Sequence, residues 1–308
     1  MRQIMKATWS VFSMVREPVH ILGRFVEHNL SAGASYVHLF FDDPDDPAYD
    51  TFANQPGVIA QRCDSAYWRG LNRRRPPYVE RRQLVNGRVA YERCLTDWQA
   101  HFDADELVVT RDSALGSQLA TVPDSHQTAH LGTLEPMVPP EDHDGPVPFR
   151  RSVRHLKFRA RLHVYGDDLQ VFRNGLFGHY QGKSILRAGL QGWGHGIHFP
   201  RPASAEIENA IHEMDNAWIA HMHCENRDLW VNRTLNKMRD GSYNLRTGNY
   251  DILPYVAPEA AALDNPTEED LLQLLTGFYD RVSVLSEDLR QRMEDLDLLQ
   301  YHEVRLLD

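Results

Sequence analysis

The first 41 residues constrain the fold most strongly. Residues 8–15 are rich in β-branched and aromatic side chains and predict a buried strand. Pro18 stands where a helix begins, apolar residues recur at helical spacing up to Leu30, and Gly33 follows as a helix C-terminal glycine. The apolar run YVHLFF (36–41) predicts a second buried strand. Because two hydrophobic strands joined by a helix are typical of parallel sheets, the sequence predicts an α/β fold.

The composition fits a globular protein with one large domain or two. The 308 residues are 42% hydrophobic and 25% charged, so the chain can bury a core. The formal net charge of −10 argues against nonspecific binding to nucleic acid. The three cysteines have no CxxC spacing, no signal-peptide pattern opens the chain, and no run reaches the ~20 apolar residues of a membrane span. We therefore expect a cytoplasmic protein without a transmembrane segment.

Two basic segments interrupt the acidic excess: WRGLNRRRPPYVERR (68–82) and FRRSVRHLKFRAR (149–161). Each can be a solvated face whose arginines pair with nearby acidic groups. Each can also be a rim that attracts a phosphorylated ligand, since guanidinium groups recognise phosphate well. The sequence leaves both interpretations open.

Acidic clusters follow two of the predicted strands. Asp42 and Asp43 come directly after the second strand, and Asp103 and Asp105 follow a later one in HFDADELVV. Ligands of open α/β sheets bind beyond the carboxyl ends of the strands, and an Asp-x-Asp turn can hold Mn²⁺ or Mg²⁺. A nucleoside diphosphate is then the expected ligand. The alternative is an acidic surface loop in which Glu106 only braces a turn.

The remaining elements are predicted from periodicity and composition. We expect strands at 57–63 and 98–102, helices over 78–95 and 204–239, irregular loop over 121–150, and short strands between 151 and 199. The clearest helix covers 268–299, where apolar residues step by three or four. This helix either packs on its own domain or forms the seam of a homodimer.

Several local patterns, in order along the chain, resemble glycosyltransferases of the family 2-like group. They are VREPVHILGRFVEHNLSAGASYVHLFFDD, HFDADELVV, QGKSILRAG, GIHFP and IAHMHCENRDLWVNRTLNKMRDG. The resemblance is good over about residues 8–110 and patchy over 180–240, and Asn226 stands where the group usually has serine. It implies a GT-A fold, a Rossmann-like and mostly parallel sheet flanked by helices, over 1–240. A helical C-terminal extension over 241–308 lies outside it.

The resemblance also implies roles for individual residues. Asp42 or Asp43 contacts the base or ribose of a nucleotide, Asp103 contacts the ribose and the metal, and Asp105 is the direct metal ligand. Lys183 faces the diphosphate. One of His195, His198 and His221 adds a metal ligand or touches the diphosphate, with His198 and His221 preferred. The donor-binding set is thus Glu17, Asp42, Asp43, Asp103, Lys183 and His198, and the metal set is Asp103, Asp105 and His221.

An inverting transferase also needs a general base that deprotonates the acceptor hydroxyl. Glu135 is the first candidate, because it lies in a region expected to shape the acceptor site. Asp167 and Asp168 are the second. The alternative for all three is a carboxylate in a turn or on the surface.

The expected function is transfer of a sugar from a nucleotide-diphosphate-sugar donor to a hydroxyl of a saccharide or other acceptor, in polysaccharide or glycoconjugate synthesis. Two alternatives remain open. One is a metal-dependent hydrolase or nucleotidyltransferase that uses the aspartate and histidine clusters. The other is a nucleotide-sugar-binding protein without catalysis.

Overall fold

The computed structural model describes residues 6–140, 143–202, 204, 210–239 and 267–307. The chain has an α/β fold with a large mixed sheet flanked by helices, so the predicted fold class is confirmed at this level. It divides into two compact units, each discontinuous in sequence. The first is Met1–Thr133 with Gln181–Ala220, and the second is Leu134–Tyr180 with His221–Asp308. The predicted domain boundary at residues 240–241 lies outside the described residues.

The parallel part of the first unit has the strand order β4-β1-β2-β3. The strands are β1 (Trp9–Val15), β2 (Val37–Phe41), β3 (Val58–Arg62) and β4 (Trp98–His101). Between β1 and β2 runs α1 (Val19–Ser31), which begins after Pro18. Gly33 has a φ of +98°, a conformation that favours glycine. The predictions for these four strands and for α1 are therefore confirmed.

Four more helices belong to the first unit: α2 (Ala48–Phe52), α3 (Ser65–Gly70), α4 (Val79–Glu92) and α5 (Leu115–Leu119). The predicted helix over 78–95 is confirmed by α4. Gly87 lies inside α4 because the helix packs closely on β1 there. A Cβ atom at Gly87 would lie 2.9 Å from the Phe12 ring, so glycine allows this contact.

Four further strands lie wholly or mostly in the first unit: β5 (Glu106–Thr110), β6 (Thr128–Pro136), β8 (Lys183–Arg187) and β9 (Ile211–His221). β8 pairs with β4 and with the first residues of β6, and β9 pairs with β5 and β6. The prediction of irregular loop over 121–150 is wrong, since this range contains β6 and most of a further strand. The prediction that 204–239 is mostly helical is only partly right. Among the described residues of that range, β9 precedes a helix that begins at Arg227.

The second unit carries β7 (Val147–Arg151) and β10 (Leu299–His302), paired antiparallel. The last residues of β6 pair with β7. Its helices are α6 (Phe158–Tyr165), α7 (Arg227–Arg239), α8 (Glu268–Ser283) and α9 (Glu287–Glu294), and a 3-10 turn, Gly166–Gln170, follows α6. Between 151 and 199 the prediction of short strands is therefore only partly right, because α6 and the turn lie in that range.

The predicted single helix over 268–299 is two helices. Val284 leaves the helical conformation and bridges to Val138, and the Ser286 hydroxyl then caps α9 by accepting from the Leu289 amide at 3.2 Å. The apolar face of α8 packs into the core of the second unit through Leu275, Phe278 and others. This packing favours the own-domain interpretation over the dimer seam. None of the described helices combines the length and apolar character needed to cross a membrane.

Candidate functional site

The acidic turn of HFDADELVV lies between two strands of the first unit. β4 ends at His101 and β5 begins at Glu106, so Asp103 and Asp105 lie in the connecting turn. Both aspartates are partly exposed, whereas Glu106 is fully buried. Because β4 is parallel to β1 and β2, this turn lies at the carboxyl edge of the parallel strands, as predicted.

Lys183 is the counter-charge of this turn. Its Nζ lies 2.7 Å from Oδ2 of Asp103 and 3.0 Å from Oε2 of Glu106, and its side chain is fully buried. Burial alone would lower the pKa of Lys183, but Glu106 and Asp103 outweigh that effect and raise it above the ordinary value. The buried lysine therefore offsets the repulsion between the carboxylates.

Glu106 braces the turn from inside. Its Oε2 accepts a 2.8 Å hydrogen bond from the backbone amide of Asp103 while it pairs with Lys183. The interpretation of Glu106 as a turn brace is confirmed. The predicted contact of Lys183 with a diphosphate stays a prediction, since the structure gives the ammonium group these two carboxylate partners.

A tight backbone contact places the start of β8. Gly182 has a φ of +68°, and a Cβ there would collide with the carbonyl oxygen of Leu131. His198, a predicted donor-binding residue, lies next to this point, with Nδ1 3.1 Å from the Gly182 carbonyl oxygen. The structure thus places the His198 ring against the residue that precedes Lys183.

Asp42 is engaged by arginines of the first basic segment. Arg82 contacts both of its carboxylate oxygens at 2.7 Å from Nε and Nη2, and Arg75 donates to Oδ1 at 3.1 Å. Asp42 and Arg82 are both buried. Asp43 is only partly buried, and its Oδ1 accepts from the Asp45 amide at 3.0 Å. Glu17, another acidic residue of the predicted donor-binding set, is exposed.

Helix α4 connects the two acidic positions. Arg82 holds Asp42, and the next residue, Gln83, donates from Nε2 to Oδ1 of Asp103 at 3.3 Å. Asp42 follows β2 and Asp103 follows β4, so adjacent residues of one helix reach the ends of both strands. Neither role is among those predicted from the sequence. Arg82 stood within a noted basic segment, whereas Gln83 carried no signal.

Two histidines of the first unit are packed imidazoles. His195, considered as a ligand, is buried with its ring edge-on to Phe12 at 5.0 Å and to Tyr91 at 5.7 Å. Burial keeps its pKa well below the ordinary value, so the ring is neutral. His101 stacks on Phe12 at 4.5 Å, and its Nδ1 lies 2.9 Å from the Gly196 carbonyl oxygen.

Glu135 has a fully enclosed environment in the second unit. Its Oε2 accepts from the Phe177 amide at 2.8 Å and from Arg150 Nη2 at 3.0 Å, and its Oε1 accepts from the Gly178 amide at 2.6 Å. Burial would raise its pKa, but Arg150, the nearby histidines and the Gly178 amide lower it below the ordinary value. Glu135 is therefore an ionised carboxylate whose oxygens are both occupied.

Arg150 completes this buried pair. Its guanidinium carbon lies 4.9 Å from the centre of the Phe172 ring and 4.8 Å from that of Phe177, and Nη1 donates to the Val282 carbonyl at 2.7 Å. Neither Arg150 nor Glu135 exposes any side-chain surface. Arg151 of the same basic segment pairs with Asp297 at 2.9 Å, so within the described residues two of the six arginines and lysines of that segment form ion pairs.

Three histidine rings lie together in the second unit. The His221 ring centre lies 4.9 Å from that of His179 and 4.2 Å from that of His223. Gly178 makes room for them, since a Cβ there would lie 2.6 Å from Cε1 of His221. His221, the predicted metal ligand, is therefore part of an imidazole cluster that the sequence showed only as two neighbouring histidines.

One group of ligand atoms in the second unit is close enough to hold a metal ion. Glu135, His223 and Cys224 each place one such atom within 4.8 Å of the others. The group is poorly prepared for a cation, however. The Glu135 oxygens are occupied by Arg150 and two amides, and burial holds the pKa of the Cys224 thiol well above its ordinary value.

The other second-unit residues named from the sequence are Asp167, Asp168 and Asn226. Asp167 is exposed, and Asp168 accepts from Arg281 Nη2 at 3.1 Å. Asn226, where the resembled group has serine, caps α7: its Oδ1 accepts from the Leu229 amide at 3.0 Å. Asparagine and serine are both favoured at this position, so the departure preserves the capping.

Comparison with known proteins gives no family assignment. No protein-family model matches the chain, and no curated protein matches it.

Proposed function

We propose that this protein is a glycosyltransferase that moves a sugar from a nucleotide-diphosphate-sugar donor to an acceptor hydroxyl, assisted by Mn²⁺ or Mg²⁺. The observation that carries the proposal is the position of the Asp103–Asp105 turn. It lies at the carboxyl edge of β4-β1-β2-β3, where open α/β sheets bind ligands, and it is braced from inside by Lys183 and Glu106.

The donor atoms of the turn suit a hard divalent cation. Asp103 and Asp105 offer carboxylate oxygens from a partly exposed turn, and oxygen ligands are those that Mg²⁺ and Mn²⁺ prefer. A bound cation would stabilise the negative charge that the leaving nucleoside diphosphate gains. Lys183 and Gln83 both contact the Asp103 carboxylate and orient it. The role that fits Lys183 best is thus the positioning of Asp103.

The two aspartates after β2 take different roles under this proposal. The carboxylate of Asp42 is buried and held by Arg82 and Arg75, so it fixes the loop beyond β2. Asp43 is partly exposed at the same edge. Of the two, Asp43 is the better candidate for contact with the base or ribose of the nucleotide.

The candidates for the general base separate by environment. A base must reach the acceptor hydroxyl, and both oxygens of the fully buried Glu135 already accept hydrogen bonds. This environment favours a structural role for Glu135. Asp168 pairs with Arg281, whereas Asp167 is exposed and forms no ion pair in the described part of the chain. Asp167 therefore remains the most accessible of the three.

A metal-dependent hydrolase or nucleotidyltransferase is the second candidate. The clustered imidazoles of His179, His221 and His223 favour it, because histidine clusters are common transition-metal ligands. It predicts tight Zn²⁺ binding that depends on these histidines, and hydrolysis without a sugar acceptor. A nucleotide-sugar-binding protein without catalysis is the third.

A thermal-shift screen of nucleotide sugars, with Mn²⁺ and with EDTA, tests the proposal. A ligand that binds only the native state raises its stability, so the correct donor should raise the melting temperature only when Mn²⁺ is present. Release of nucleoside diphosphate together with glycosylation of an acceptor then distinguishes a transferase from a binding protein. Absence of any Mn²⁺-dependent shift across uridine, guanosine, adenosine and cytidine diphosphate sugars would contradict the proposal.

A further inference from the structure

An exposed arginine patch lies on α3, on the loop after it and on the first turn of α4. We define the patch as Arg69, Arg73, Arg74 and Arg81, all of which are exposed. Within the residues that the structure describes, none of the four forms an ion pair. Residues 64–82 contain six arginines and two acidic residues, a formal charge of +4 in a chain of net charge −10. The pairing predicted by the solvated-face interpretation is therefore missing for most of this segment.

The other two arginines of the segment anchor it. Arg82 and Arg75 both bind Asp42, so the charge of this carboxylate is balanced by them. Arg82 Nη1 also donates to the carbonyl oxygens of Pro76 and Pro77, at 3.1 and 2.9 Å. The two prolines further restrict this loop. The exposed guanidinium groups are thus carried on a backbone that is held in place, which limits the entropy lost when they bind a ligand.

The chemistry of the patch favours phosphate. All of its basic residues are arginines, whose planar guanidinium groups match phosphate oxygens in a bidentate way, and residues 64–82 contain no lysine. Several unpaired cations close together along the chain suit a ligand with more than one negative charge. Such attraction weakens with ionic strength, because exposed charges are screened.

The patch is placed beside the candidate donor site within the same unit. α3 follows the carboxyl end of β3, and Arg75 reaches Asp42 at the carboxyl end of β2. Gln83, two residues after Arg81, contacts Asp103. The patch therefore borders the edge at which the proposed transfer takes place.

We propose that the arginine patch binds phosphate groups of the acceptor, so that the acceptor is a phosphate-bearing substrate. This inference rests on the proposed transferase function. A soluble phosphorylated saccharide and a lipid-linked phosphate at a membrane surface offer the same chemistry to the patch. The two sources differ in whether binding needs a bilayer.

The test compares two double charge reversals that change the net charge equally. Arg73→Glu with Arg74→Glu alters the patch, and Lys157→Glu with Arg159→Glu alters two exposed cations that form no ion pair in the described part of the chain. Binding of inorganic pyrophosphate is measured by calorimetry in EDTA. Binding to phosphatidylglycerol vesicles, with phosphatidylcholine vesicles as reference, is measured by flotation. Circular dichroism checks the fold of each variant.

The patch variant should bind pyrophosphate, or the anionic vesicles, at least about tenfold more weakly than the parent chain, while the control stays within about twofold. Binding of pyrophosphate without vesicles indicates a soluble acceptor, and binding to anionic vesicles alone indicates a lipid-linked one. Unchanged binding by the patch variant, an equal loss in the control, or no binding by the parent chain would overturn the inference.

Mn²⁺-dependent binding of uridine or guanosine diphosphate, measured on the same proteins, keeps this inference separable from the proposed function. Loss of anion binding with intact nucleotide binding in the patch variant supports both. Anion binding through the patch in a chain that binds no nucleotide contradicts the transferase and leaves the patch as an anion site. Mn²⁺-dependent nucleotide binding without anion binding through the patch contradicts only the inference about the patch.

Discussion

Lys183 and Glu106 form a fully buried ion pair, with 3.0 Å between Nζ and Oε2. The same ammonium group lies 2.7 Å from Oδ2 of Asp103, at the entrance of the acidic turn. Two of the three carboxylates within these four residues thus share one buried counter-charge, supplied by a lysine that lies eighty positions after Asp103 in the chain. This relationship links the stability of the turn to the proposed donor site.

Removing the ammonium group of Lys183 should destabilise the protein strongly. Lys183→Met leaves Glu106 buried without its partner, and breaking one side of a buried pair costs about 3–5 kcal/mol. Urea unfolding measures the change in the free energy of unfolding. The double variant Lys183→Met with Glu106→Gln removes the unpaired charge and should recover part of the loss. If the single variant loses less than about 1 kcal/mol, Lys183 does not hold the turn.

The Glu135→Gln variant tests whether the Glu135 carboxylate has a structural role or acts as the general base. The substitution leaves Arg150 buried with a neutral partner, so we expect a loss of about 3 kcal/mol or more in the free energy of unfolding. The control Asp167→Asn changes an exposed carboxylate and should leave stability within about 0.5 kcal/mol. A Glu135→Gln protein of unchanged stability that has lost transfer activity would instead identify Glu135 as the base.

Buried neutral histidines should make the protein sensitive to mild acid. Burial, with a smaller contribution from Arg93, lowers the pKa of His38 to about 4, and burial lowers the pKa of His130 to about 4 as well. At a pH below the ordinary histidine pKa of about 6.5, these two histidines are protonated in the unfolded chain but stay neutral in the folded chain. Stability is therefore full above pH 6.5 and falls as the pH drops towards 4.

Each such histidine contributes a loss of about 2 kcal/mol between pH 7 and pH 5. His38→Gln should reduce this pH dependence by about that amount, whatever its stability at pH 7. Urea midpoints of the parent chain and the variant at both pH values provide the comparison. An equal loss of stability between pH 7 and pH 5 in the two proteins would show that His38 is not held neutral by its surroundings.

Local patterns in the sequence predicted much of the first unit. The β1-α1-β2 segment, β3, α4 and β4 follow from apolar runs, a proline at the helix start and a glycine after its end, all signals within a few residues. The acidic turn at the carboxyl edge followed from the same reasoning. The contact of this turn with Lys183 could not be predicted in the same way, because the lysine reaches the turn only through the pairing of β8 with β4.

The wrong predictions have tertiary causes. β6 contains His130, Gly132, Glu135 and Pro136, a composition typical of a loop, and Glu135 can be buried only because Arg150 pairs with it. The break after α8 was hidden because apolar spacing continues across it. The Ser286 cap was the available signal.

Asp105→Ala tests the central claim most directly, with Asp124→Ala as the matched control on an exposed carboxylate of the same unit. The measurement is calorimetric titration with uridine and guanosine diphosphate, in Mn²⁺ and in EDTA. We predict that the parent chain and Asp124→Ala bind one of the two nucleotides only with Mn²⁺. Asp105→Ala should keep its fold and lose at least about 100-fold in affinity, since it lacks a direct metal ligand. Unchanged Mn²⁺-dependent affinity in Asp105→Ala would contradict the account.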